Sequence, residues 1–253
     1  MYTRRIMRIS QALFVAGVIA GSSVIALAQP PAGAQAPPPM KNLQIIPADT
    51  PRQQVIQTMQ GFTQGLGVRC EFCHVDEPGH QDFAADDKRV KKVAREMMRL
   101  TADLNTKIPA AVSKSATDAT RIQCATCHRG VAIPRQLTDI LTDTMTASGM
   151  PAATTQFRDL RKQYFGGQSY DFSEVSLTTL AQRANQAGKP DDALAWLQLN
   201  LEFYPQSARS HLLMSTVYAA KKDLPSAIKS AEKALEIDPQ NAQAKQQLER
   251  LKK

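Results

Sequence analysis

The chain holds four cysteines, all in one repeated spacing: Cys70-Glu71-Phe72-Cys73 followed by His74, and Cys124-Ala125-Thr126-Cys127 followed by His128. Two thiols one helical turn apart can reach the two vinyl groups of one haem and form thioethers, while the adjoining imidazole comes under the iron as proximal ligand. A thioredoxin-like dithiol explains neither the trailing histidines nor the presence of two separate motifs. A four-thiolate zinc site leaves both histidines without a role and has about fifty residues between its halves. The spacing therefore predicts two covalently attached haem c groups (iron), one at Cys70, Cys73 and His74 and the other at Cys124, Cys127 and His128.

The sixth position on each iron separates electron transfer from catalysis. Two histidines remain. His80, in the polar run Asp76-Glu77-Pro78-Gly79-His80, reads as a solvated loop residue, and His211 as a helix-surface or packing residue. Methionine is then the candidate, as the thioether ligand that raises haem potential. Thr50 and Pro51 open a helix ending near Gly65-Leu66-Gly67, with Val55, Ile56, Met59, Phe62 and Leu66 on its apolar stripe. Asp86 or Asp87 starts a second helix with Val90, Val93, Met97, Leu100 and Leu104 on one face and Met98 turned about 100° away. Each attachment motif thus follows an amphipathic helix whose methionine, Met59 or Met97, faces the expected core. Met145 and Met150, downstream of His128, are rivals for the second iron.

These residues resemble the photosynthetic reaction centre cytochrome c subunit family, whose repeating unit is a methionine-bearing helix, a turn and a Cys-x-x-Cys-His segment. Met59 to His74, with Leu66-Gly67-Val68 running into Cys70, is similar to one such unit. Met97-Met98-Arg99-Leu100 through Asn105, then Cys124 to Gly130, is similar to another. The resemblance covers roughly residues 41 to 135 and implies Met59 and Met97 as the methionine ligands. The family subunit carries four haem motifs, and this chain has two; residues 106 to 123 also lack the histidine that serves the family's fourth haem. The resemblance implies haem-site architecture and electron donation to protein partners, with a reaction centre as one such partner.

The remaining sequence places this dihaem segment in context. Arg4, Arg5 and Arg8 precede an apolar stretch ending in Ala26-Leu27-Ala28, the layout of a signal peptide over 1–28 that directs export to the periplasm or the outer face of the cytoplasmic membrane. An uncleaved segment would instead be an anchor that keeps the protein membrane-proximal. Residues 29–40 are a Pro/Ala-rich linker, expected to be extended. Cleavage after Ala28 lowers the formal charge from +8 to +5, and the propionates of two haems bring it near neutrality, which removes the case for nucleic acid as a partner. Arg69, Arg121 and Arg129 flank the motifs and are candidates to pair with those propionates.

Beyond Pro134 the chain becomes rich in alanine and leucine. Pro205 and Pro239, Ala193 and Ala227, and Leu180 and Met214 recur at an interval of 34 residues, the period of tetratricopeptide (TPR) repeats. Residues 174–253 read as two repeats and a capping helix, residues 136–173 as a helical connector, and 138–165 within it as a helix pair docking as an atypical first unit. Gly166-Gly167 is the turn between them, and Trp196 reads as core.

With aromatics at 6%, the chain is expected to be mainly α: a multihaem cytochrome c domain of helix–turn–CxxCH units over 41–135, followed by an α-solenoid of TPR helical hairpins. The function this predicts is a carrier of single electrons between redox protein partners rather than an enzyme, with a repeat groove able to dock a protein. Two alternatives stand beside it: a peroxidase-like haem enzyme, if one iron is five-coordinate, and a TPR assembly factor.

Overall fold

Between Pro51 and Gly67 the chain forms α1 (Arg52–Leu66) in the computed structural model, which describes residues 39–253. The export segment at 1–28 and most of the 29–40 linker lie outside the described residues. Pro51 (φ −53°, ψ 137°) stands just before the helix, one place earlier than expected, and Thr50 does not cap it through its side chain. Gly67, at φ 65°, ends the helix in the left-handed conformation that glycine adopts without steric cost.

A single turn, α2 (Cys70–Cys73), carries the first motif and leads into an antiparallel hairpin of β1 (Val75–Glu77) and β2 (His80–Asp82). Pro78 and Gly79 (φ 81°) make its corner, and His80 is exposed. Next comes α3 (Arg89–Ala111), which begins two or three residues later than the aspartates suggested. Asp86 does not cap it; the carboxylate is engaged by Lys91 in the first turn of the helix and Arg95 in the second. The second motif forms α4 (Cys124–His128).

From there the chain is helical to its end. The expected helix pair in 138–165 is α5 (Leu137–Tyr164), broken internally where Gly149 adopts φ 80° and ψ 173° just before Pro151. Gly149, with no Cβ, takes this positive-φ conformation without steric cost, and Pro151, which cannot donate into the helix ladder, stands in the first turn of the segment that follows the break. The turn at Gly166-Gly167 follows (Gly166 φ 87°). Then come α6 (Glu174–Gln186), α7 (Pro190–Phe203), α8 (Ala208–Ala220), α9 (Leu224–Ile237) and α10 (Ala242–Leu251). Ser173, Ser207 and Asn241 cap α6, α8 and α10 with their side chains, each 34 residues after the last, while α7 and α9 open 34 apart. Ala193 and Ala227, one period apart, are both fully buried, as close helix packing requires.

The main core runs through this half. Leu137, Leu141, Ala153 and Phe157 of α5 join Leu177, Leu180, Trp196, Leu197 and Val217, so the connector and the first hairpins share one apolar interior. Trp196 is buried there. Met145 and Met150 are partly buried and pack against the same cluster.

Candidate haem sites

Each Cys-x-x-Cys segment folds as a tight helical turn. In the first, the amide of His74 donates to the Cys70 carbonyl (3.0 Å) and that of Phe72 to Arg69 (3.1 Å). In the second, Gln123 and Thr126 form a reciprocal capping box, with the Gln123 amide donating to Thr126 Oγ1 at 3.0 Å. Thr126 thus fixes the start of the turn. All four cysteines are free thiols. Burial pushes the thiols of Cys73 and Cys124 up from their ordinary value, against the direction a redox-active dithiol needs.

The two histidines share an orientation device. His74 Nδ1 lies 2.9 Å from the Phe83 carbonyl, and His128 Nδ1 lies 3.0 Å from the Val131 carbonyl. A carbonyl only accepts, so Nδ1 carries the proton in both rings and Nε2 is left as the lone-pair donor a metal uses. Burial lowers the proton affinity of His74, the Phe83 hydrogen bond works against that, and Lys91, Lys88 and Arg95 lower it further. Phe83 also packs on the His74 ring, with centroids 5.3 Å apart.

Behind His74 lies a charged scaffold. Lys91 Nζ donates to three successive carbonyls, Phe83 (3.0 Å), Ala84 (2.9 Å) and Ala85 (2.6 Å). Lys88 donates to the Glu71 carbonyl inside the first motif. Asp86 receives Arg95 at 2.8 Å and Lys91 at 3.3 Å, and Asn42 donates to it at 3.0 Å. The Arg95 guanidinium holds the Asp86 carboxyl well below the usual carboxylate range.

The second motif is tied down differently. Asn105 of α3 brackets Ile122, donating to its carbonyl at 2.9 Å and accepting from its amide at 2.7 Å. The Gly130 amide donates to the Gly65 carbonyl at the end of α1 (2.9 Å). A Cβ on Gly65 would meet the Ala125 amide nitrogen at 3.1 Å and Cys124 Cβ at 3.3 Å. So α1, which runs into the first motif, packs on the second motif's α4, and α3, which follows the first motif, packs back on its α2. The role of Gly65 and Gly67 as a seat for the second motif is absent from the sequence reading, which treats them only as a helix stop.

Of the expected sixth ligands, Met59 is half-buried on α1, and Met97 lies on the outward ridge of α3 at 39% exposure. Val93, Leu100 and Leu104 accompany Met97 on that ridge and are exposed to a similar degree. The periodicity located the apolar face correctly, but the polypeptide does not cover it. Phe72 and Phe83 beside the first motif are exposed as well. Paired thiols, an imidazole with a free Nε2 and flanking apolar side chains are the donor set and wall that a covalently bound haem requires, so the residues present fit the group. Arg69 forms a surface ion pair with Glu71 (2.6 Å).

The family model for the photosynthetic reaction centre cytochrome C subunit matches residues 18–187. Cytochrome c-554 of Chloroflexus aurantiacus is 37% identical over 76 residues, a stretch that covers 30% of this chain and 17% of that protein. The chain therefore matches less than a fifth of that relative's length. Among the described residues, no helix is long and apolar enough to cross a membrane.

Proposed function

The chain belongs to the photosynthetic reaction centre cytochrome C subunit family, and from that premise we propose that it is an exported dihaem c-type cytochrome passing single electrons between protein partners. One observation carries this reading: twice, a cysteine pair in one turn is followed by a histidine whose Nδ1–H is held by a backbone carbonyl. Bound haem c supplies a one-electron iron couple.

The polypeptide's part is attachment, orientation and exclusion of water. Cys70 and Cys73, and Cys124 and Cys127, are the thioether anchors. His74 and His128 present Nε2, oriented by Phe83 and Val131. Met59 and Met97 are the proposed thioether ligands, a choice favoured by their place on the two helices that precede the motifs and by the engagement of Met145 and Met150 in the core. A haem held by a histidine and a methionine would suit electron transfer and would leave no position open to peroxide. The ridge of Val93, Met97, Leu100 and Leu104 supplies an apolar wall.

The hairpins from α6 onward recur at the tetratricopeptide interval, and the groove between α6 and α8, lined by Gln182, Asn185, Leu213 and Thr216, is proposed to dock a redox partner. Export to the periplasm or the outer membrane face follows from the 1–28 segment. The test is a redox titration of protein matured with a cytochrome c assembly system. Two one-electron waves with low-spin spectra are expected; a high-spin ferric signal or peroxide turnover contradicts the carrier role.

A further inference from the structure

The two motifs differ in what stands behind the histidine. At the second, the Val131 carbonyl accepts from His128 Nδ1 and, among the described residues, from no other donor. At the first, the Phe83 carbonyl accepts from His74 Nδ1 at 2.9 Å and also from Lys91 Nζ at 3.0 Å. The Lys91 side chain is only 11% exposed, so its ammonium is held there rather than sampled from solvent. It faces the Phe83, Ala84 and Ala85 carbonyls together with Asp86, and Asp86 is shared with Arg95; Lys88 approaches from the Glu71 side. Asp82 accepts from the Ala84 and Ala85 amides in the same loop, so three cations, Lys88, Lys91 and Arg95, stand against two carboxylates, Asp82 and Asp86, and leave this cluster net positive.

We propose that Lys91 is a positioning residue that raises the reduction potential of the haem held at His74 above that of the haem held at His128, acting through the shared Phe83 carbonyl. The inference rests on the haem reading given above. The hydrogen bond from Nδ1–H to its acceptor sets how electron-rich the imidazole is, and an electron-rich imidazole favours the ferric state. A carbonyl already polarised by an ammonium is a weaker acceptor for a second donor. His74 is therefore the poorer donor to its iron, which favours the ferrous state. The positive charge itself acts in the same direction, because one-electron reduction lowers the charge at the iron by one.

The test is a spectroelectrochemical titration of the full chain carrying both haems. Lys91→Met is expected to lower one potential and leave the other in place, shifting the electron equilibrium between the haems about tenfold, or about 59 mV for a one-electron couple. Lys91→Arg keeps the charge and is expected to return the equilibrium to within about twofold of the parent protein, whereas Lys92→Met, the same charge change at an exposed neighbour, shifts it less than about twofold because solvent screens it. Equal shifts in Lys91→Met and Lys92→Met, or no shift in Lys91→Met with both haems bound, overturn the proposal. A parent chain that takes up no haem overturns the underlying cytochrome reading instead. Should Lys91→Met fail to mature, the unaltered ferrous protein still decides. With 15N-labelled histidine, the Nδ1–H resonance of His74 is expected upfield of that of His128, and the reverse order refutes the relay.

Discussion

Replacing Gly67 by alanine places a methyl group where the backbone of the second motif already lies. A Cβ there would overlap the Gly130 carbonyl oxygen and stand 2.8 Å from its carbon. Neither side can yield by rotating a side chain. Gly67 sits at φ 65°, where an L-residue loses about 1 kcal/mol. Forcing the two backbones apart adds overpacking of about 1–3 kcal/mol. Loss of the Gly130 amide bond to Gly65, 2.9 Å long, adds about 1 kcal/mol. The total is about 3–5 kcal/mol, which at roughly 2–4 °C per kcal/mol for a chain of this size lowers Tm by about 10 °C. Because the lesion falls on the α1–α4 contact, uptake of the second haem is expected to fall while the first is retained. Gly61→Ala is the control of opposite sign. Gly61 lies on the same helix with nothing within 4 Å of a Cβ, and alanine there stabilises by about 0.5–1 kcal/mol. Thermal unfolding with haem quantitation of the two variants checks both. A Gly67→Ala protein within about 1 kcal/mol of the parent refutes the packing argument.

What could be read before the structure was the chemistry that is local in sequence. The thiols and the imidazole sit in one turn, so their spacing alone identifies what they can hold. The 34-residue recurrence was legible for a similar reason, since each hairpin repeats the same caps and small residues. Helical periodicity served α3 only in part. It showed which face is apolar, through Val93, Met97, Leu100 and Leu104, but periodicity carries no information about what covers that face. The role of Asp86 was misread because a carboxylate ahead of a helix suits a cap and an ion pair equally well, and Arg95, nine residues on, decided between them. The seat formed by Gly65, Gly67 and Gly130 joins residues over sixty positions apart and has no local signature. The β1–β2 hairpin escaped notice because its strands are three residues long and mostly polar.

Three further outcomes are expected. Met97→Ala should abolish one of two near-infrared sulfur-to-iron bands and lower one potential, whereas Met98→Ala, turned off the ridge, should leave both bands; the reverse result reassigns the ligand. Asp86→Asn should destabilise the protein at neutral pH. The folded carboxyl lies below its ordinary value of 3.8, so its contribution is fully present above that pH and disappears as the pH falls through the folded value; the gap between parent and variant in denaturant midpoint should therefore close on acidification, and a gap independent of pH refutes the ion-pair role. Cys124→Ala with Cys127→Ala should leave a protein carrying one haem, attached at the first motif, as read from its absorbance per polypeptide; loss of both haems would mean the sites are not separable.

The central claim is that two haems are joined covalently to this polypeptide, and the intact mass of protein matured with a cytochrome c assembly system tests it most directly. The expected result is the polypeptide plus two haem groups, surviving acid denaturation, with none of the four cysteines open to alkylation. A colourless product at the bare polypeptide mass with four reactive thiols would contradict it.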